Sequence, residues 1–267
     1  MLVSEVFYSL QGEGLRVGHP SVFVRFFGCN FRCPGFGLPE GQKSTEPDDI
    51  AKGIDKYKSY NDLPLAKTGC DSYPSWHPKF KRFSTDMTIE ELHDKIISVI
   101  PDEVDTKNID IVFTGGEPML KPTQSFVIEY HNKYNLNIFS TVTFETNGTQ
   151  EPLDGLRCID NLIFSISVKL KCSGVDRSKA INHESLCKLT SLSSNSYFKF
   201  VVSSERDVDE IDDIVKSYST PVYVMPVGGT VDGYSPNVKT VSDIALKKGY
   251  IFTPRLHINL FGNSWAT

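Results

Sequence analysis

Short apolar runs recur along the chain, separated by stretches with a helical repeat. The first is Ser21–Phe27; Ile109–Thr114, Asn137–Phe144, Leu162–Val168, Tyr197–Val202 and Val222–Met225 follow it. Runs of this length between turn residues predict strands buried on both faces. Thr88 and Glu91 have the spacing of a capping box, and Ile89, Leu92, Ile96 and Val99 share one helical face. A helix is predicted after Pro122, and another from Asp207, boxed by Glu210, with Val208, Ile211, Val215 and Tyr218 facing inward. Thr240–Lys248 predicts a helix stopped by Gly249, and a last strand starts at Ile251. Strands alternating with helices imply an α/β fold with a parallel, helix-covered sheet. About six such units are too few to close an eight-unit barrel, so a partial (β/α)6 barrel is expected. Active-site loops of parallel sheets leave the C-terminal ends of the strands. Gly28–Cys33, Gly115–Pro118, Glu145–Gly148 and Met225–Gly229 all fall on that edge.

One stretch breaks the alternation. Residues 34–69 are rich in Pro, Gly, Lys and Asp, with weak helical potential around Asp48–Tyr60. We read them as a lid inserted into a single domain spanning residues 1–267. The excursion matters because it begins at a pair of cysteines, Cys29 and Cys33. Two thiolates on one turn are too few for a stable iron–sulfur cluster or a structural zinc. A compact Cys-x3-Cys-x2-Cys loop would place its third ligand at position 36, but Phe36 stands there and is expected to pack against the excursion. The next cysteine is Cys70, in Gly69-Cys70-Asp71-Ser72. Loop-closure entropy grows only logarithmically with length, so a long excursion is compatible with Cys70 as third ligand. Cys172 and Cys187 are the alternatives. Otherwise Cys158, Cys172 and Cys187 read as small buried hydrophobes.

Composition narrows the classes. A chain of 267 residues with 39% apolar and 23% charged residues can bury a full core. Its net charge of −5 argues against a nonspecific grip on nucleic acid. No stretch approaches the roughly 18 to 20 apolar residues of a membrane span, and Met1–Glu5 does not open a secretory leader. A cytoplasmic protein is expected, and in a reducing compartment clustered cysteines read as metal ligands rather than disulfides.

Each motif also admits a plainer reading. Gly115-Gly116-Glu117-Pro118 allows a sharp turn and close approach to a ligand, with Glu117 offering a carboxylate; a simple turn would look the same. Asp71 and Ser72 could only be capping a turn, and Glu145-Thr146-Asn147-Gly148 could be an ordinary Asn-Gly turn. Arg25 could lie on a strand edge, although Phe23, Val24, Phe26 and Phe27 around it argue against full exposure. His257 could reach a bound substrate but reads most simply as a structural histidine, and Trp76 and His77 as residues that pack the insertion down.

Together, the Cys-x3-Cys loop after one strand and Gly-Gly-Glu-Pro after the next resemble the radical S-adenosylmethionine superfamily. Within it, Phe7-Tyr8-Ser9-Leu10-Gln11-Gly12-Glu13-Gly14, Gly18-His19-Pro20-Ser21 and Val24-Arg25-Phe26 resemble the 7-carboxy-7-deazaguanine synthase family. The resemblance runs from about Val3 to Asn263, interrupted by residues 34–69. It implies the superfamily's partial barrel and a 4Fe–4S cluster held by Cys29, Cys33 and Cys70, with one iron open to S-adenosylmethionine. That cofactor would be met by Asp71, by Gly115, Gly116, Glu117 and Pro118, and by Glu145 and Asn147 at the next strand. Ser167 and Lys169 would complete its site; Val168 stands between them where the family commonly has Pro, and Ser165 precedes them. A Mg2+ ion is implied at Ser72, after the Cys-Asp pair. A pterin substrate would lie on Gln11, Gly12, Glu13 and Gly14, its carboxylate on the planar fork of Arg25.

The implied reaction is a radical ring contraction of 6-carboxy-5,6,7,8-tetrahydropterin to 7-carboxy-7-deazaguanine with loss of ammonia, on the route to queuosine-type deazapurines. The radical comes from the cofactor, so no side chain is expected as catalyst. A reductant such as flavodoxin and a homodimer are implied, with no direct nucleic-acid or membrane partner. Two other readings remain: an activase for a glycyl-radical enzyme, against which the Gln-Gly-Glu-Gly segment speaks, and a binding protein that lost its cluster through Phe36.

Overall fold

The computed structural model describes residues 1–267. Strands β1 (Leu2–Leu10) and β2 (Pro20–Phe26) form an antiparallel pair. Helix α1 (Glu46–Lys52) lies in the excursion, and β3 (Thr85–Asp86) joins the outer side of β1. Then come α2 (Ile89–Val99), β4 (Asp110–Gly115), α3 (Lys121–Tyr134), β5 (Val142–Thr146) and β6 (Leu162–Ile166). The chain continues through α4 (Arg177–Ala180), α5 (His183–Leu192), β7 (Tyr197–Val202), α6 (Arg206–Val215) and β8 (Val222–Pro226). It ends with α7 (Val231–Lys248), β9 (Ile251–Phe252) and α8 (Leu256–Phe261). The sheet order is β3-β1-β2-β4-β5-β6-β7-β8-β9, parallel from β2 onward. Its outer strands β3 and β9 do not pair, so the barrel is open, as the unit count predicts.

The strands alternate with a period of two, and the two faces have different chemistry. Val22, Val24 and Phe26, then Ile111 and Phe113, Phe144, Phe164, and Phe198 and Phe200 belong to the 35-residue core between sheet and helices. The intervening positions line the concave face. At the base these are Phe7, Phe23 and Val112, and Ile163, Tyr197 and Tyr223. Higher up they are polar: Arg25, Thr114, Glu145 and Lys199. An apolar outer layer thus fixes the strands while the inner layer is free to carry function.

Several sequence expectations need correction. β1 goes unseen because a bulge between Val3 and Glu5 shifts its register: Val3 and Val6 face the outer core, whereas Phe7 faces in. Residues 136–138 form a 3-10 turn, and the strand begins only at Val142. β5 passes to β6 through a 3-10 turn at Asp154–Cys158 rather than an α-helix. The box at α2 is present, with Thr88 Oγ1 accepting from Glu91 N and Glu91 from Thr88 N. No box forms at α6, because the Asp207 carboxylate reaches back to the Ser203 and Ser204 amides. Glu210 is instead drawn to Lys171 N and Arg177. α7 starts nine residues before the predicted helix, capped by Thr230 and tolerating Pro236 in its second turn. The last strand is only two residues long and gives way to α8. Cys158 and Cys187 are exposed rather than buried, and Cys172 is half-buried against the core.

The excursion folds as a cap of 3-10 turns and α1 around a seven-residue apolar cluster, which includes Ala51, Ile54, Leu63 and Ala66 from the excursion and Tyr73, Trp76 and Phe80 beyond it. Its neck is closed by polar bonds: Gly69 N donates to Phe36 O and Ser44 N to Pro34 O, each at 2.8 Å. The Glu46 carboxylate accepts from Lys67 N, Thr68 N and Thr68 Oγ1. At its far side, Trp265 stacks edge-on against Tyr60 and donates its indole N–H to Leu63 O at 2.6 Å.

Candidate active site

The neck determines where the third cysteine sits. Because Gly69 bonds Phe36, Cys70 re-enters the chain's path beside the residue at which a compact loop would carry its third ligand. Cys29, Cys33 and Cys70 line one cavity, whereas Cys158, Cys172 and Cys187 do not. Phe36 lies on the wall of that cavity, beside Gly37, Lys67 and Gly69, and is not part of the apolar cluster of the cap. Cys33 adopts a left-handed backbone (φ 47°), a strained conformation for a non-glycine residue that turns the loop here.

Burial, and then the Glu117 carboxylate, push the Cys29 thiol up to about 12. Burial likewise raises Cys33, opposed by the Lys169 ammonium. Burial, Cys33 and Asp71 raise Cys70 well above the ordinary thiol range. Such thiols become good ligands once iron replaces their protons. No His, Cys, Asp and Glu group is tight enough to clamp a single metal ion. A cubane bonds each cysteine through a different iron and so needs three sulfurs spread around a volume, which suits this donor set.

The opposite end of the cavity is a polar floor. The 11–14 loop follows β1, whose end pairs with the start of β2, so it enters the barrel from the N-terminal side of the strands. Only part of the site therefore lies on the C-terminal edge where the motifs were expected. Gln11 Nε2 donates to Glu145 Oε1 at 3.3 Å, and Thr114 Oγ1 donates to Glu145 Oε2 at 2.8 Å. Glu13 accepts from Lys199 Nζ at 2.5 Å and from Arg255 Nε at 3.0 Å. Burial opposes ionisation of Glu13, but Lys199 and Arg255 outweigh it and hold the carboxyl far below its usual range. Arg255 also donates to Gly228 O and, at 2.6 Å, to Asp71 Oδ2, so it ties the floor to the residue after Cys70. His257 packs directly over Gly12, where a Cβ would strike its ring. Burial and Arg255 push this imidazole down to about 4, so it is neutral near pH 7. It also lines the cavity.

Arg25 projects from β2 between floor and cysteines. Its Nε donates to Glu5 Oε2 at 2.9 Å, and Phe7 lies under its guanidinium. Arg25 lines the cavity, and the Glu5 bond uses only its Nε, leaving the two terminal amino groups as the fork that a carboxylate pairs with. Gly12, Gly115, Gly116, Asn147, Ser167 and Lys169 also line the cavity, as do Asp71 and Ser72. Lys169 Nζ donates to Ser167 Oγ, and Asn147 Nδ2 to Asn30 Oδ1 of the cysteine loop. The Ser72 hydroxyl donates to Asp71 Oδ1 at 3.3 Å.

Three expected residues stay out of the cavity wall. Gly14 is turned under the Tyr197 hydroxyl, its amide bonded to Thr253 Oγ1. Glu117 is buried and braces the loops, accepting from Thr146 Oγ1, Asn147 N and Met119 N. Pro118 follows it into the packed interior. The glycines of this turn are needed for backbone packing: a Cβ on Gly115 or Gly116 would collide with Phe26 or Gly28. Ser165 is buried within β6.

Lys199 and Arg255 were missed from the sequence. Lys199 was visible as the one charge in the apolar run Tyr197–Val202, at an inward position of the period. Arg255 lies in an irregular turn, and no local pattern marks it.

A family model described as a 4Fe-4S single cluster domain matches residues 10–189. Curated relatives named 7-carboxy-7-deazaguanine synthase include one from Rhodopirellula baltica, 30% identical over 100% of this chain and 89% of its own length. Another, from Pyrobaculum aerophilum, is 29% identical over 98% of this chain and 95% of its own. The crystal structure of QueE from Escherichia coli superposes with a TM-score of 0.58 at 18% identity, covering 96% of this chain and 94% of that one, which establishes a shared fold. No helix is long and apolar enough to cross a membrane.

Proposed function

The chain belongs to the 7-carboxy-7-deazaguanine synthase family, and we propose that it converts 6-carboxy-5,6,7,8-tetrahydropterin to 7-carboxy-7-deazaguanine with release of ammonia, for queuosine-type deazapurine synthesis. The observation that carries this reading is one cavity lined by three cysteines, Cys33 buried and Cys29 and Cys70 half-buried, together with the Arg25 fork and the polar residues Gln11, Glu13, Glu145 and Lys199. Cys29, Cys33 and Cys70 would hold the 4Fe–4S cluster within a single domain whose cluster loop is interrupted by residues 34–69. When bound, the cluster and S-adenosylmethionine supply an organic radical that takes hydrogen from the substrate. Everything else falls to the chain.

Arg25 orients the substrate carboxylate through its free amino groups, while Glu5 and Phe7 fix the plane of its guanidinium. Gln11 and the ionised Glu13 face the aminopyrimidinone edge, held in place by Glu145, Lys199 and Arg255. Gly115, Gly116, Asn147, Ser167 and Lys169 form the wall available to S-adenosylmethionine, with Glu145 at its lower end. Glu117 acts there by tying the loop after Gly115–Gly116 to Thr146 and Asn147 at the end of β5. Ser72 offers a hydroxyl for a Mg2+ ion that keeps most of its waters, and Asp71 holds the Ser72 hydroxyl while bonded to Arg255. The cap excludes water from the radical.

An anaerobic assay with reconstituted protein, carboxypterin, S-adenosylmethionine and dithionite, with and without Mg2+, tests this. Formation of 7-carboxy-7-deazaguanine, stimulated by Mg2+, is expected. Cofactor cleavage with no pterin turnover would point to the activase reading, and a colourless, iron-free protein to a degenerate one.

A further inference from the structure

Trp76 carries a buried polar group that nothing in the protein satisfies. The residue is only 9% exposed, and its indole Nε1 is sealed from solvent without a hydrogen-bond partner. An orphaned buried N–H is uncommon and destabilising unless something supplies an acceptor. The side chain lines the cavity with the three cysteines and belongs to the apolar cluster against which Cys29 and Cys70 pack. The ring is held from both sides. The Arg32 guanidinium lies 4.6 Å from its centroid, anchored by the Cys29 and Phe31 carbonyls, and the His77 ring packs at 5.7 Å. The other tryptophan differs: Trp265 has its indole N–H bonded to Leu63 O.

The acceptor nearest in character is the sulfur of Cys70. Cys70 packs against the apolar cluster that contains Trp76, and both residues line the same cavity, while the indole Nε1 itself has no partner. A thiol is a weak acceptor, whereas a thiolate bound to iron is a good one. We propose that Trp76 is a tuning residue: its N–H donates to the Cys70 sulfur once that sulfur ligates the cluster, stabilising the reduced form. Hydrogen bonds to cluster sulfurs make reduction easier because the added electron raises negative charge on sulfur. The Arg32 cation on the ring face acts in the same direction and keeps the indole from rotating. This inference rests on the cluster assignment above.

The test is a potentiometric titration of reconstituted protein with dithionite, followed by electron paramagnetic resonance. Trp76→Phe keeps the ring and removes the N–H. It is expected to retain the wild-type iron and sulfide content while its potential moves to more negative values. A tenfold loss in the reduced-to-oxidised ratio at fixed poise corresponds to about 59 mV for one electron. Trp265→Phe should leave the potential unchanged. A second measurement needs no variant: with two tryptophans in the chain, 15N-indole labelling should give a weak nitrogen coupling in the pulsed spectrum of the reduced cluster. An intact cluster with unchanged potential in Trp76→Phe and no 15N coupling in the wild type would overturn the proposal while leaving the function standing. Failure of the wild-type protein to bind iron would instead remove the cluster reading itself.

Discussion

The sheet and the cap hold together by different means. The sheet is fixed by one 35-residue apolar core beneath long ladders, whereas the cap has a seven-residue cluster and depends on side-chain bonds to loop backbone. Regular ladders resist local opening; 3-10 turns with a small core open more readily. The candidate site needs both. Cys29, Cys33, Arg25 and Lys199 follow from strands of the sheet, while Cys70 and Ser72 arrive through the cap. Rigid positioning and sealing have thus been assigned to separate regions, joined at the neck and at Arg255.

The largest effect is expected where the cap supplies chemistry. Cys70→Ala should abolish the intact cluster and all radical activity, and Cys172→Ala and Cys187→Ala should leave both. Iron and sulfide analysis after anaerobic reconstitution measures this. A full cluster in Cys70→Ala would break the division, because the sheet would then hold the cluster without the cap.

Next is the joint between the regions. Arg255→Met leaves the Glu13 and Asp71 carboxylates facing a site that has lost its shared cation. Removing one partner of a buried ion pair is destabilising by about 3–5 kcal/mol. A fall of that size in denaturant stability of the apo protein is expected. A change below about 1 kcal/mol would show that Lys199 alone suffices for Glu13.

A purely sheet-borne contact should give a smaller and more selective effect. Arg25→Lys keeps the charge but loses the planar fork, so pterin affinity should weaken by about 1–3 kcal/mol, up to roughly a hundredfold. The cluster and S-adenosylmethionine binding should survive. Unchanged pterin affinity in a calorimetric titration would remove Arg25 from the site.

The same division explains what the sequence discloses. Period-two and helical patterns are imposed by burial against a large core, so most strands and α2 can be read directly. β1 escapes because a bulge breaks its period, and α6 lacks its expected box because Asp207 finds the Ser203 and Ser204 amides first. The motif residues line one cavity, except Gly14, Glu117 and Pro118, which lie behind its wall. Lys199 and Arg255 are recognisable only once distant segments meet, since their meaning lies in Glu13 and Asp71. The cap is nearly silent: its order comes from side-chain bonds to the backbone, which leave no periodic trace.

The smallest effect is expected within the cap itself. Glu46 closes the neck by accepting from Lys67 N, Thr68 N and Thr68 Oγ1, with no role in the sheet. Glu46→Ala removes those acceptors while the Gly69–Phe36 backbone bond remains, so local closure should weaken by about 1–2 kcal/mol. That corresponds to a rise of about fivefold to thirtyfold in the open population. Limited proteolysis under fast-reclosing conditions follows this population directly. Cleavage between residues 34 and 69 should accelerate by that factor, while the global unfolding midpoint stays near the wild type because the sheet core is untouched. Equal losses in both measurements would mean that cap and sheet unfold as one unit. Cleavage unchanged from the wild type would show that the backbone bond at Phe36 and Gly69 closes the neck without Glu46.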